Sequence, residues 1–249
     1  GSDEYVDPVI SLSGTWEVQG NFYVKGEAKG GTGTITLNGT GNQSYDTTNS
    51  GISVNLVINK ASGNVTPSGT ELNIGSFDLQ SGTFTAPTGT FYIKHYAASA
   101  SVTLFKIAAT ATYNHNNGTL LLKTANSGCF CPTTTTVDVP DAFQFYNVTV
   151  SQHNANFGTT TAPVTGRKIV VLNNFSHGSD DFVGAANTLL SGNWEVQGNL
   201  YVKAEANGGS GTITLNGTGN QSYSTTNSGV TANVVVNKTS GTVTPLSSE

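Results

Sequence analysis

The densest group of residues able to do chemistry is Ser176-His177-Gly178-Ser179-Asp180-Asp181. A histidine beside two carboxylates can bind a metal ion or polarise a nucleophile. The chain contains no Gly-x-Ser-x-Gly elbow, no His-Glu-x-x-His pair and no phosphate-binding loop, and the other histidines, His95, His115 and His153, are isolated. We therefore expect a hydrophilic loop between two strands, with no catalytic residues, no metal ligands and no cofactor.

A second candidate is a row of polar side chains in the segment Trp16–Lys25, which alternates apolar and polar residues as a half-buried strand does. A tyrosine flanked by amides and opposite charges can stack on a sugar ring and bind its hydroxyls. The competing interpretation is a solvated strand face with favourable cross-strand pairs. The row recurs later in the chain, and together the candidate glycan contacts are Glu17, Gln19, Tyr23, Lys25, Glu195, Gln197, Tyr201 and Lys203, with Asn21 and Asn199 between them.

The two cysteines, Cys129 and Cys131, are separated by one residue. In an extended strand their side chains share one face at about 7 Å, which is too far for an unstrained disulfide. They also lack further Cys or His at the spacing of a zinc site. We expect them to be structural or to lie in a turn, and a local or intermolecular disulfide stays open.

Composition excludes two classes of partner. Only 10% of the residues are charged, the net charge is −5, and Arg167 is the single arginine, so no basic cluster is available for nucleic acid. No apolar run approaches the roughly 18–20 residues that a transmembrane helix needs. The opening GSDEYV resembles a cloning remnant joined to a mid-protein boundary, so we expect a native N-terminus upstream.

An internal repeat sets the organisation of the chain. The segment 12–71 aligns without a gap to the segment 190–249, and most of the aligned positions are identical, including LNGTGNQSY at Leu37–Tyr45 and Leu215–Tyr223. Apolar positions exchange among apolar residues while polar positions change freely, as expected of a scaffold. We predict a lead-in strand at 1–11, one complete repeat at 12–189, and the first third of the next at 190–249, continuous with the same fold.

The elements that must position these residues are short β-strands separated by Gly- and Asn-rich corners. Their spacing of roughly 14–22 residues favours a right-handed parallel β-solenoid of about 10–12 turns, each of about 20–24 residues. Asparagines at the strand ends are placed to form ladders between turns. Tandem β-sandwiches are the alternative all-β fold.

The phrases TITLNGTGNQSY, NLVINKASGNVTP, FDLQSGTFTAPTGTFYI, YNHNNGTLLL and FQFYNVTVSQ resemble the repeats of bacterial cell-surface and secreted β-solenoid proteins. These are adhesin-like proteins, broadly of the filamentous-haemagglutinin type. The resemblance implies an extracellular, repetitive, fibrous or stalk-like protein, and it implies no catalytic residues.

We therefore expect a non-enzymatic structural segment of a bacterial surface fibre or adhesin stalk. Its expected partners are neighbouring repeats of the same chain, end-to-end copies of itself, and surface glycans. A carbohydrate-binding module is the alternative, followed by a polysaccharide-active enzyme fragment and an ice-binding protein. Calcium bridging through Asp and Asn oxygens lacks the repeated Gly-Gly-x-Gly-x-Asp motif, and the threonines at Thr34–Thr36 and Thr133–Thr136 look too isolated for an ice lattice.

Overall fold

A computed structural model describes residues 10–26, 28–47, 54–97, 101–126, 133–152, 159–181, 188–227 and 229–246. The protein is all-β, with 64% strand and no helix in the described part, and its parallel strands stack into a β-solenoid of about nine turns. The predicted solenoid is thus confirmed. Tandem sandwiches are excluded because the described strand pairs are parallel, whereas sandwiches are built from antiparallel sheets.

The chain divides into two compact units, Gly1–His95 with Leu104–Gly118 and Tyr96–Thr103 with Thr119–Glu249. Up to Gly118 the described strands are β1 (Ile10–Leu12), β2 (Thr15–Val18), β3 (Phe22–Val24), β4 (Ala28–Gly31), β5 (Thr34–Leu37), β6 (Gln43–Thr47), β7 (Asn55–Pro67), β8 (Leu72–Ile74), β9 (Ser76–Thr85), β10 (Thr90–Ala97), β11 (Val102–Ile107) and β12 (Thr112–Asn114).

In the first unit, β2, β5, β7, β9 and β11 pair side by side in that order. The end of β7 also pairs with β6, which pairs with β3, so the chain turns a corner within each turn. Matching positions of successive strands stack in columns, the first of which is Trp16, Ile35, Leu56, Phe77 and Phe105. Phe77 also belongs to an aromatic cluster, in which its ring centroid lies 4.9 Å from that of Phe84 and 5.3 Å from that of Phe91.

From Thr119 onward the described strands are β13 (Thr119–Asn126), β14 (Thr133–Asp138), β15 (Phe143–Phe145), β16 (Asn147–Gln152), β17 (Thr159–Pro163), β18 (Lys168–Val171), β19 (Phe175–His177), β20 (Thr188–Leu190), β21 (Asn193–Val196), β22 (Leu200–Val202), β23 (Asn207–Leu215), β24 (Gln221–Thr225), β25 (Val230–Val236) and β26 (Val243–Pro245).

Three stacks of strands form the second unit. They follow the orders β13-β16-β19-β22-β24-β26, β14-β17-β20 and β15-β18-β21-β23-β25. Successive side chains point to opposite faces of a strand, and in β21 this places Trp194 and Val196 in the interior and leaves Glu195 half-buried. In β18 both faces are covered, because Ile169, Val170 and Val171 are all buried. The interior column of the third stack is Phe143, Ile169, Trp194, Ile213 and Val234.

The predicted number of 10–12 turns was too high because several turns are longer than we assumed. Trp16 pairs with Ile35 across a short turn, whereas Thr161 pairs with Leu190 across a turn that is half as long again. Hydrogen bonding between parallel strands fixes the register within a strand and leaves the corner lengths free. The longer corners therefore reduce the count to about nine.

Candidate functional site

The repeated LNGTGNQSY forms a corner that is closed by a lysine from the next turn. Gln43 donates through Nε2 to the carbonyl oxygens of Val18 and Gly20, at 2.9 and 2.5 Å, and accepts from Gly39 N at 3.0 Å. Lys60 Nζ donates to Gln43 Oε1 at 2.7 Å, to the carbonyl oxygen of residue 41 at 2.9 Å and to Gly39 O.

Hydrogen bonding and close backbone packing explain why this corner contains a lysine at position 60 and a glycine at position 39. The Lys60 ammonium has three protons and three oxygen acceptors, so a buried cation is held without a carboxylate. Burial lowers the pKa of Lys60 from its ordinary value. Position 39 has to be glycine, because a Cβ there would overlap the backbone of Gln19 in the preceding turn.

The second copy reproduces the corner bond for bond. Gln221 donates to Val196 O at 2.9 Å and to Gly198 O at 2.5 Å, and Lys238 donates to Gln221 Oε1, Gly219 O and Gly217 O. The motif is therefore a structural corner that joins three successive turns. Within it, Gln43 and Lys60 in the first copy and Gln221 and Lys238 in the second bond to each other and to backbone carbonyl oxygens of these turns.

The Ser176–Asp181 segment is only partly the hydrophilic loop that we predicted. His177 ends β19 and is buried, and its Nε2 donates to Thr188 O at 2.8 Å. Since a carbonyl oxygen only accepts, Nε2 carries the proton, and Nδ1 accepts from the Thr231 hydroxyl at 3.0 Å. Burial lowers the pKa of His177 to about 4, although the bond to Thr188 opposes this shift.

A buried carboxylate lies close to this histidine strand, and sequence reasoning missed it. Glu205 accepts from Ser151 Oγ at 2.9 Å, from Ser179 Oγ at 2.7 Å, and from the amides of Ser179 and Gln152 at 3.0 and 3.3 Å. Ser151 is 54 residues away in the sequence and Ser179 is 26 residues away. Local motifs carry no signal for such partners, because stacking of distant turns brings them together.

The two aspartates turn outward and form ion pairs. Asp180 accepts from Lys203 Nζ at 3.0 Å, and further hydrogen bonds reach it from Ala204 N, Thr226 and Asn227. Desolvation opposes ionisation, but these hydrogen bonds prevail and lower the pKa of Asp180 to about 2. Asp181 pairs with Lys123 at 2.8 Å, which lowers the pKa of Asp181.

These groups do not converge on a reactive centre. Both ring nitrogens of His177 and both carboxylate oxygens of Glu205 already bond to protein groups. Among the described residues, no three His, Cys, Asp or Glu side chains are grouped so as to hold a metal ion. The arrangement joins neighbouring turns through polar side chains.

The glycan row is split by a corner. We predicted one strand over Trp16–Lys25, which is wrong, because β2 ends at Val18 and β3 begins at Phe22. In the second copy, β21 and β22 pair with β23 and β24 in separate stacks. The residues between the two strands therefore turn the row around an edge of the solenoid. Glycan binding by these residues stays a prediction.

Several members of the row already have protein partners. Glu17 accepts from Asn38 at 3.2 Å, and Glu195 pairs with Lys168 at 2.6 Å. The hydrogen bond and charge of Glu195 raise the pKa of Lys168. Lys203 is the partner of Asp180. Tyr23 is 49% exposed and has a more open ring than its counterpart Tyr201.

Asparagine ladders join the turns, as predicted. Asn147 Oδ1 accepts from Asn173 Nδ2 at 3.0 Å, and Asn174 Oδ1 accepts from Asn199 Nδ2 at 3.1 Å. The amide of Ser222 donates to Asn199 at 2.8 Å, which extends the ladder by one turn. These oxygens, which a bridging calcium ion would need, accept hydrogen bonds from neighbouring turns.

The threonine run 133–136 is not isolated, because β14 pairs with β17 over Thr133–Val137 and Thr159–Pro163. Thr135 and Thr161 are buried and share a hydrogen bond at 2.9 Å between their hydroxyls. Thr135 therefore lines the interior and is not part of an outward lattice. Cys129, Cys131 and His153 lie outside the described residues, as does the side chain of His95.

The described part of the chain contains no helix long and apolar enough to cross a membrane. No protein-family model matches the chain, and no curated protein or solved structure matches it either. The resemblance to bacterial surface repeats therefore rests on the sequence phrases alone, and the shared feature that the structure supports is the β-solenoid.

Proposed function

We propose that the chain is a structural segment of an extracellular bacterial fibre or adhesin stalk and that it is not an enzyme. The observation that carries the proposal is the commitment of polar side chains to bonds between turns. The ammonium of Lys60, the carboxylate of Glu205 and the amide of Asn147 each join residues of neighbouring turns.

Backbone pairing supports the same role. Strands of successive turns pair in parallel, so backbone hydrogen bonds run along the stacking direction, and apolar columns follow them inside. In such a repeat protein each turn contacts mainly its neighbours, and stability grows with the number of turns. This construction suits a part that transmits load or holds other domains at a distance. The sequence resemblance supports an extracellular, bacterial setting.

The test is single-molecule force spectroscopy on the chain held at its two termini. We expect extension in steps of one turn, each of about 60–100 Å, because a fully extended chain spans roughly 3.3–3.6 Å per residue. Immunolabelling of intact cells of the source organism should place the protein outside the cell. One all-or-none release would contradict a turn-by-turn load-bearing element, and a purely intracellular signal would contradict the location.

A carbohydrate-binding module is the second candidate, and the exposed ring of Tyr23 favours it. A glycan array distinguishes the two functions, since a spacer needs no glycan and a binding module does.

A further inference from the structure

The repeated corner contains an Asn-Gly pair in each copy, Asn38-Gly39 and Asn216-Gly217. Asparagine is among the thermolabile residues of proteins. A following glycine makes it more reactive, because no side chain shields the backbone nitrogen that attacks it. Neither glycine can be replaced, because a Cβ at position 39 or 217 would overlap the backbone of the preceding turn. The packing of the corner therefore requires the glycine of a chemically vulnerable pair.

Deamidation of such a pair proceeds in two steps. The backbone nitrogen of the glycine attacks Cγ of the asparagine, the bond from Cγ to Nδ2 breaks, and the displaced group leaves as ammonia with the proton of the glycine amide. Water then opens the five-membered succinimide ring, and the product is an aspartate or an isoaspartate with one additional negative charge. The only co-reactant is water. The attack requires a glycine nitrogen that is free to approach Cγ.

In the first copy, hydrogen bonds hold both reacting groups. The amide of Gly39 donates to Gln43 Oε1 at 3.0 Å, so its proton is already committed. Lys60 Nζ donates to the same Oε1 at 2.7 Å and keeps that acceptor in place. Asn38 Nδ2 donates to Glu17 Oε2 at 3.2 Å, which holds the side-chain amide against the preceding turn.

The second copy holds its pair in the same way. The amide of Gly217 donates to Gln221 Oε1 at 3.0 Å, and Lys238 Nζ donates to the same oxygen at 2.6 Å. Asn216 Nδ2 donates to Glu195 Oε2 at 3.0 Å. In both copies the asparagine Oδ1 is buried and accepts no hydrogen bond from a described residue. The negative charge that develops on this oxygen during the attack is therefore not stabilised while the corner is closed.

We propose that Asn38 and Asn216 are latent deamidation sites, which the lysine of each corner keeps unreactive as long as the corner is closed. Deamidation is slow compared with local opening and closing of a folded chain, so its rate follows the population in which the corner is open. This chemistry is independent of the proposed function, because it needs only the contacts of the corner and water.

The product of the reaction cannot restore the first corner. Asn38 donates to the carboxylate of Glu17, and an ionised aspartate at position 38 has no proton to donate. Two carboxylates that face each other at this distance repel. In an isoaspartate the backbone is also longer by one carbon, which displaces the amide of Gly39 from Gln43. A corner that stays open long enough is therefore converted to a form that no longer closes.

The experiment incubates the chain at mildly alkaline pH and follows deamidation of each Asn-Gly pair by peptide mapping with mass spectrometry. The same incubation in urea gives the rate for each pair without the fold. We expect Asn38 and Asn216 to react more slowly in the folded chain by roughly tenfold or more, because the corner must open first. Equal rates in the folded chain and in urea would overturn the proposal.

Two lysine variants test each corner against the other. Lys60→Met removes the donor that fixes Gln43. It should speed deamidation of Asn38 by roughly 5–150-fold and leave Asn216 unchanged. Lys238→Met should speed Asn216 and leave Asn38 unchanged, which provides a second test if Lys60→Met fails to fold. In a variant that circular dichroism shows to be folded, equal acceleration of both pairs, or of neither, would contradict control by the lysine.

Two controls separate the corner from general effects. Lys106→Met removes an exposed lysine of the first unit and should change neither rate. The pair Asn117-Gly118, in which the glycine amide donates to His115 O at 2.9 Å, is the internal reference for pH and temperature.

The inability of the product to close the corner is tested by Asn38→Asp. Its melting temperature should be lower than that of Asn38→Ala, and adding Glu17→Gln should recover the difference, because it removes the facing carboxylate. Equal melting temperatures of the two single variants would show that the new charge does not hold the corner open. None of these outcomes bears on extension under force, so the proposed function is tested separately.

Discussion

Trp16 and Trp194 occupy the same position of the repeated sequence and make the same local hydrogen bond. Each indole Nε1 donates to the carbonyl oxygen three residues earlier, Ser13 O at 2.9 Å and Ser191 O at 3.0 Å. Yet Trp16 is half exposed and Trp194 is buried. The difference lies in the preceding turn, which covers Trp194 with Phe175 and Ile169.

At the other edge of the repeated segment the difference in solvent exposure is reversed, so that the first copy is buried and the second is exposed. Ile58 is fully buried in the first copy, while Val236 is 59% exposed in the second. Lys60 is likewise buried, and Lys238 is half-buried. Each copy is thus complete on one side only, and the pair shows that burial in a solenoid belongs to the contact between turns and not to a single repeat.

The largest contrast is expected from truncating the two tryptophans. Trp194→Ala removes a buried, stacked ring and should cost about 3–5 kcal/mol of unfolding free energy. Trp16→Ala should cost less than about 1 kcal/mol, because solvent already reaches that ring. Urea unfolding followed by far-UV circular dichroism measures both. Equal losses would show that the preceding turn adds nothing to Trp194.

The second prediction concerns the pH dependence of the free energy of unfolding, which we expect to depend on the buried side chain of His177. His177, which is bonded to Thr231 of the second copy, has a folded pKa of about 4 against 6.5 for the free side chain. As the pH falls, the unfolded chain therefore binds a proton at His177 before the folded chain does. The contribution of His177 to the free energy of unfolding is complete above pH 6.5 and is lost as the pH falls toward 4. The full loss is about 3 kcal/mol.

The measurement uses Trp16→Phe, in which Trp194 is the only tryptophan, and compares urea midpoints from neutral pH down to the folded pKa of His177. Adding His177→Gln should flatten the pH dependence within this window while keeping a donor for Thr188 O. An unchanged slope in the double variant would assign the effect to other groups, such as Asp180, whose folded pKa of about 2 gives a loss at lower pH.

The lysine corner gives a smaller contrast. Lys60→Met leaves the oxygens of Gly39, Gly41 and Gln43 without their donor. We expect this change to lower the free energy of unfolding by about 1–3 kcal/mol. Lys238→Met should cost less than Lys60→Met, since water can reach that corner. Thermal unfolding ranks the two against Lys106→Met, an exposed lysine of the first unit. A Lys238 effect as large as that of Lys60 would contradict the one-sided burial.

The smallest effect on stability is expected at the outward tyrosines. Tyr23→Ala with Tyr201→Ala should weaken glycan binding on an array and leave the melting temperature nearly unchanged, because neither ring is buried. Tyr92→Ala, which changes a half-buried ring in β10, is the matched control. If the unaltered chain gives no glycan signal, or if Tyr92→Ala loses as much, the row has no glycan role.

The alternation of side chains along strands and the positions of the glycine-rich corners could be predicted from the sequence. Thr34–Leu37 alternates strictly and is a strand, and Gly39 stands where a tight approach to the previous turn demands it. Prediction was wrong at Trp16–Lys25, where alternation continues across a corner and so suggests one strand instead of two. The predicted number of turns was also too high, because pairing between parallel strands fixes their register and does not fix the length of the corners between them.

Local interactions depend on near neighbours in the chain, so the indole hydrogen bond, which joins residues three positions apart, recurs in both copies. Burial and polar pairing depend on which turn lies alongside. Glu205 bonds to Ser151 across 54 residues because stacking of turns brings the two side chains together. Trp194 is buried where Trp16 is exposed because the preceding turn covers Trp194 with Ile169. The same residue of the repeat therefore keeps its local hydrogen bond in both copies, while its burial depends on the turn beside it.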